Sequence, residues 1–256
     1  MNLPRRLLIA AAAATLAAPA TAQAPDTALA AALASPSRSP TNVKRDRYRH
    51  SAELLKFFGL KPTDSVLEIQ PGGGYWTEIL APYLQPQGSY TAAVPDLTPH
   101  EKDLQATFSQ KFPDVHTIPF GHGPLGAPGS FDLILSFRNL HDWLEQGRAK
   151  PLLEDIYTAL KPGGIFGIED HRAPADKPQD PKAANGYVRE DYAKALVESV
   201  GFKFLTSSQL GDNPKDTKNY PDGVWDLPPT LRGGEKDRAK YLAIGESDRW
   251  TLKFTK

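Results

Sequence analysis

Apolar residues fall in two rhythms along this chain. Short unbroken runs at Ser65–Gln70, Ser89–Val94, Phe131–Phe137 and Ile165–Glu169 predict strands buried on both faces. Elsewhere apolar positions recur every three or four residues, as helices require. Leu54, Leu55 and Phe58 do so within Arg45–Leu60, with Gly59 as the C-cap. Leu152, Leu153, Ile156 and Leu160 share a face of Gly147–Leu160. Tyr192, Leu196, Val197 and Val200 share a face of Val188–Val200, closed by Gly201. Tyr75–Leu84 and His100–Phe112 complete the predicted helices; Val115–Ile118 and Phe202–Thr206 complete the short strands. Strand and helix in alternation predict a single α/β domain around a doubly wound, mostly parallel sheet. The last strand, Asp248–Thr255, differs. Trp250, Leu252 and Phe254 alternate with Arg249, Thr251 and Lys253, the pattern of an antiparallel strand.

Three stretches interrupt these rhythms. Phe120–Ser130 is a glycine- and proline-rich loop, and Ala173–Asn185 is a polar loop. Ser207–Glu246 is too long for an ordinary connection. Its content (Asn213, Lys215, Asp216, Tyr220, Trp225, Arg232) suits either an ordered lid over the active-site rim or a flexible edge decoration.

The first residues follow another logic. Arg5 and Arg6, the apolar run Leu7–Ala18 and the small residues Ala20-Thr21-Ala22 have the three parts of a secretory signal. Cleavage after Ala22 would send a chain starting at Gln23 to the periplasm or outside, with no membrane attachment. The Arg pair also suggests twin-arginine export, but Pro4 precedes it and no aromatic follows. Residues 23–44, rich in Ala, Pro and Ser, read as a linker with a short helical turn near Thr27–Leu33, and 45–256 as the domain.

Composition narrows the function. Lys+Arg and Asp+Glu both count 30, which gives no basis for a nucleic-acid partner. There is no cysteine, which excludes disulfides, thiolate catalysis and cysteine-ligated metals, and suits an oxidising compartment.

Chemistry concentrates at Val66–Thr77, Val-Leu-Glu-Ile-Gln-Pro-Gly-Gly-Gly-Tyr-Trp-Thr. A buried strand, a glycine turn and a helix form a nucleotide-binding unit, where ligand approaches backbone that a Cβ would block. A dinucleotide would want G-x-G-x-x-G; Gly72 and Gly74 fit, but Thr77 takes the third place. The stretch more closely resembles motif I of class I S-adenosylmethionine-dependent methyltransferases, acidic-x-Gly-x-Gly-x-Gly. Glu68, Gly72 and Gly74 match it, Pro71 and Gly73 fill variable slots, and Gln70 replaces the first glycine. The resemblance implies a Rossmann-like fold with an antiparallel last strand and S-adenosylmethionine as cofactor, held by Glu68, Gln70, Gly72, Gly73 and Gly74. It also implies an acidic residue after the second strand for the ribose hydroxyls, and Asp96 is the candidate although Pro95 intervenes.

The second informative stretch ends the strand Phe131–Phe137 with Arg138, Asn139, His141 and Asp142, where doubly wound sheets bind ligands. Asn139 is assigned to the cofactor. The Leu-His-Asp-Trp run resembles that of small-molecule O-methyltransferases, whose histidine takes the proton from the acceptor hydroxyl. This makes His141 the candidate base and Asp142 its catalytic companion. The alternative is that His141 and Trp143 only pack the turn. Asp170 and His171 close the next strand as secondary candidates. A two-histidine metal site from His141 and His171 was weighed against this, and no metal is expected.

Ala-Leu-Lys-Pro-Gly-Gly at 159–164 is a further methyltransferase signature with a structural role. Over 45–256 the chain is similar to a group of exported bacterial predicted methyltransferases. It shares with them Phe-Phe-Gly-Leu, Pro-Gly-Gly-Gly-Tyr, Leu-Ala-Pro-Tyr, Arg-Asn-Leu-His-Asp-Trp, Asn-Pro-Lys-Asp-Thr and Gly-Glu-Ser-Asp-Arg. Export conflicts with a cofactor made in the cytoplasm. At micromolar Kd and a kon of about 10⁶ M⁻¹s⁻¹, koff is roughly 1 s⁻¹, and the complex empties within seconds. Three functions follow: a methyltransferase on a small hydroxyl-bearing substrate, a non-catalytic binding protein on the same frame, and a nicotinamide-dependent oxidoreductase.

Overall fold

The computed structural model describes residues 26–96 and 98–256; the signal sequence read at 1–22 lies outside them. In chain order the elements begin with α1 (Thr27–Leu33), α2 (Pro40–Val43), α3 (Asp46–Arg49), α4 (Ser51–Phe58), β1 (Ser65–Ile69), α5 (Thr77–Leu84) and β2 (Ser89–Pro95). They continue with α6 (Pro99–Lys111), β3 (His116–Phe120), β4 (Phe131–Phe137), α7 (Leu140–Glu145), α8 (Ala149–Ala159) and β5 (Leu160–His171). The chain closes with α9 (Glu190–Glu198), β6 (Lys203–Ser208), α10 (Arg238–Ile244) and β7 (Arg249–Thr255). The strands form one sheet in the order β3-β2-β1-β4-β5-β7-β6. All its pairings are parallel except those of β7, which runs antiparallel to both β5 and β6. This is the Rossmann-like methyltransferase fold expected, with β7 in the predicted direction.

Helices cover both faces of the sheet. Leu54, Leu55 and Phe58 of α4 and Ile79 and Leu80 of α5 pack with Val66, Leu133 and Leu135. Leu152, Leu153 and Ile156 of α8 and Val197 of α9 pack with Leu67, Ile134 and Ile168. Alternate residues of β1 and β4 thus feed opposite layers, which is why both strands read as unbroken apolar runs. Gly167 of β5 lets the first layer close. A Cβ there would stand 2.5 Å from the Phe58 ring and 2.7 Å from Leu135 Cδ2. Gly167→Ala is expected to cost about 1–3 kcal/mol by urea unfolding. A cost too small to measure would mean that the Phe58 ring moves freely.

Three expectations are corrected. The segment read as linker is folded onto the domain. Asp26 caps α1 by accepting from the Ala28 and Leu29 N–H groups, Tyr83 O–H donates to its other oxygen at 2.6 Å, and Leu29 and Ala32 are buried. The helix expected over 45–60 breaks into α3 and α4 at His50, whose φ is 44°. Lys161–Gly164 does not precede β5 but forms an irregularity inside it, where the register steps from Phe131↔Leu160 to Leu133↔Ile165.

Candidate active site

The carboxyl ends of β1, β4 and β5 meet at one rim. Beyond β4, Arg138 turns the chain with φ 64°, its N–H donating to Glu169 O at 2.7 Å. Asn139 Nδ2 donates to Ile69 O at 2.9 Å and to Ser136 Oγ at 3.1 Å. Asn139, assigned to the cofactor from sequence, therefore spends its amide N–H groups on tying the β4 exit to β1.

α7 then presents His141, which is buried. Asp170, at the end of β5, accepts from the His141 backbone N–H at 2.9 Å and from the His171 N–H at 2.8 Å, and lies 2.9 Å from His141 Nδ1. A carboxylate so placed fixes the proton on Nδ1 and leaves the lone pair on Nε2. Asp142, the companion expected from sequence, lies instead on the Nε2 side, its Oδ1 3.4 Å away. Adjacent residues of a helix do not face each other, so Asp170 across the β4–β5 pairing is the group that orients the ring. Burial presses the His141 pKa down, but the charge and hydrogen bond of Asp170 outweigh it and hold it above 6.5. Burial raises the Asp142 carboxyl, against the attraction of His141. Burial, then His141 and Arg138, keep His171 well below its ordinary value, and its Nδ1 is paired with Ser247 Oγ.

The glycine turn lies at the end of β1. Gln70 adopts φ 48°, the left-handed conformation that glycine holds in the family motif, and its side-chain oxygen accepts from Trp143 Nε1. Gly72 and Gly73 have nothing within 4 Å of where a Cβ would stand. Gly74 is used otherwise: a Cβ there would meet the Phe112 ring at 2.3 Å. Lys111 Nζ donates to Gly73 O at 2.9 Å. Beneath the turn Glu68 accepts from Tyr90 O–H and from Thr77 Oγ1. Asp96 follows β2 on the same rim and pairs with His122. The open cradle over Gly72 and Gly73, with Asp96 beside it, fits a nucleoside cofactor.

Burial, partly offset by the Tyr90 and Thr77 hydrogen bonds, lifts the Glu68 carboxyl to about 7. Its folded pKa exceeds its unfolded one, so its contribution is full below about pH 4.3 and is lost as pH rises to 7. Glu68→Gln is expected to shrink the stability difference between pH 5 and pH 8 by roughly 2 kcal/mol. Parallel curves for both proteins in urea titrations would assign the pH dependence elsewhere.

Behind His141 lies a buried charge cluster. Glu246 meets Arg45 Nε at 2.7 Å, Arg49 Nε at 2.7 Å and Arg249 Nη1 at 3.0 Å. Arg249 Nε lies 3.1 Å from Glu169. Among the described residues, Arg138 has no carboxylate within salt-bridge distance and its buried Nε has no acceptor; Nη2 of Arg45 and of Arg49 also lack an acceptor there. Four guanidiniums thus face two carboxylates. Arg45 and Arg49 come from the start of the Arg45–Leu60 segment. Their partner lies about 200 positions away, and only the Gly-Glu-Ser-Asp-Arg resemblance hinted at it.

A cavity of about 190 Å³ opens between this rim and the 207–246 insertion. Arg138, His141, Asp142 and His171 form its floor; Trp225 and Pro228–Thr230 form its wall. The insertion is tied down at its stems, with Asn213 Nδ2 donating to Ile244 O and Glu246 O and Asp216 accepting from the Asp248 N–H. His141, Asp170 and His171 bring ligand atoms within 4.8 Å of one another, enough for a metal ion, but the guanidinium excess beside them opposes a cation.

Residues 67–168 match the family described as Methyltransferase domain. An uncharacterised methyltransferase of Synechocystis, sll0829, is 28% identical over 128 residues, 48% of this chain. The matched part spans 54% of that relative, about half its length. Among solved structures, a SAM-dependent methyltransferase from Aquifex aeolicus superposes with TM-score 0.55 at 17% identity, covering 84% of this chain and 93% of that one. The [4+2]-cyclase SpnF does so with TM-score 0.55 at 14% identity, covering 81% and 80%. At these identities the superpositions establish the fold.

Proposed function

We propose that this chain, whose residues 67–168 match the Methyltransferase domain family, is an S-adenosylmethionine-dependent enzyme that methylates a small hydroxyl-bearing acceptor outside the cytoplasm, with His141 as general base. One observation carries the reading: Asp170 holds His141 so that Nε2 faces a cavity on the cofactor rim. The cofactor supplies an electrophilic methyl group on a sulfonium. Gly72 and Gly73 would cradle it, Asp96 would accept from its ribose, and the free N–H groups of Arg45 and Arg49 suit its carboxylate. The acceptor enters under Trp225. Nε2 of His141 takes the hydroxyl proton, and Asp170 stabilises the imidazolium that results. In-line displacement needs little beyond orientation and one base, and a buried floor supplies both.

The test is transfer of a labelled methyl group from S-adenosylmethionine to a panel of phenols, alcohols and hydroxy acids. Binding of S-adenosylhomocysteine, read as a raised melting temperature, must accompany it. Cofactor binding without transfer to any acceptor would favour the non-catalytic reading, which Gln70 in the first glycine position motivates. A nicotinamide cofactor is disfavoured because Thr77 is buried and bonded to Glu68 where a dinucleotide turn has glycine. The export half of the proposal rests on Arg5, Arg6 and the apolar run after them. It predicts that protein from a periplasmic fraction starts at Gln23, and an intact Met1 there would overturn it.

A further inference from the structure

Arg138 is the one member of the charge cluster that both lines the cavity and lacks a partner. Among the described residues, its buried Nε has no acceptor and no carboxylate is within salt-bridge distance. Arg45, Arg49 and Arg249 all reach Glu246; Arg138 feels the same carboxylate only at longer range. Burial, then the repulsion of Arg49, presses its pKa well below the ordinary arginine value. A desolvated guanidinium is unfavourable unless an anion meets it. Its planar fork matches a carboxylate or a phosphate.

We propose that the acceptor is a small hydroxylated anion, whose carboxylate or phosphate is gripped by Arg138 while its hydroxyl meets His141. The inference rests on His141 marking the acceptor side. Two further observations support it. The cavity is lined by the ends of β4 and β5, by α7 and by the 207–246 insertion. Its volume of about 190 Å³ suits a molecule slightly larger than benzene, which fills a cavity of about 150 Å³. Trp225 offers a flat wall, and its ring centroid is 6.0 Å from that of His141. Asp142, the one acidic side chain on the floor, stands with Oδ1 3.4 Å from His141 Nε2 and, among the described residues, makes no salt bridge to Arg138.

The experiment is titration of the mature chain with inorganic phosphate, 4-hydroxybenzoate and 4-hydroxybenzamide at constant ionic strength, followed by melting temperature and calorimetry. The two anions are expected to bind and the neutral amide is not. Arg138→Leu is expected to weaken anion binding at least 10-fold while it keeps S-adenosylhomocysteine affinity, which also proves it folded. Arg138→Lys, which keeps the charge without the fork, is expected to fall between. Equal anion binding by wild type and Arg138→Leu, or none by either, overturns the proposal. So does an Arg138→Leu protein that loses S-adenosylhomocysteine but keeps methylthioadenosine, which lacks the amino-acid end; the anion would then be the cofactor's own carboxylate. Because binding is read without methyl transfer, an inactive enzyme that still binds anions through Arg138 would refute the catalytic reading alone.

Discussion

His141→Asn is expected to lower kcat by roughly 10²–10⁴-fold, the usual worth of a general base, and to leave the affinity for S-adenosylhomocysteine unchanged. Binding survives because Asp170 keeps the backbone N–H groups of residues 141 and 171, so α7 stays docked on β5. A pH profile separates a base from a packing residue. The wild-type rate is expected to rise as His141 loses its proton, with a midpoint above 6.5 because Asp170 outweighs burial. Asp170→Asn removes the charge that holds that proton, so its midpoint moves to lower pH, while kcat falls as the ring loses its fixed tautomer. A rate that His141→Asn leaves intact would assign the ring to packing alone, and a midpoint that Asp170→Asn leaves in place would dissolve the pair.

Glu246→Gln is expected to be the most destabilising single substitution on the rim, at about 3–5 kcal/mol, the cost of breaking a buried ion pair from one side. The carboxylate is 3% exposed and touches three guanidiniums at 3.0 Å or less. Glutamine keeps its shape but leaves Arg45, Arg49 and Arg249 facing one another. The pH dependence follows the same logic. Burial would raise the Glu246 carboxyl, but Arg49, Arg249, Arg138 and Arg45 drive it far below the usual glutamate range. A depressed pKa contributes stability above the unfolded value of about 4.3 and loses it as pH falls. The gap between wild type and Glu246→Gln, measured by urea unfolding, is therefore expected to be widest near neutrality and to narrow in acid. A constant gap would mean that glutamine is tolerated or rejected on shape alone.

Much of this was legible from sequence. Strands buried on both faces write themselves as apolar runs, and helices over a sheet repeat every three or four residues; both signals are local. The glycine turn and His141 were visible for the same reason. What failed was pairing at a distance. Glu246, the neutraliser of Arg49, comes from the far end of the chain. Asp142, next in sequence, does stand 3.4 Å from His141 Nε2, but only the strand register reveals Asp170 at Nδ1. Within residues 23–44, read as a linker, the helical turn near Thr27–Leu33 was visible and is α1, but that Leu29 and Ala32 seat it on α5 was not.

The stem of the 207–246 insertion has a consequence of another kind. Asn213 joins the two ends of the loop directly, and Asp216 with Asp248 repeats the join one step further in. Lengthening a loop whose ends are already fixed costs only about 0.6 kcal/mol per doubling, and Val224, whose N–H donates to Asn185 O at 2.9 Å, is a further anchor. Trp225 and Pro228–Thr230 belong to that loop. The wall of the cavity thus hangs on a loop whose length can change at little cost while the rim beneath it stays as it is.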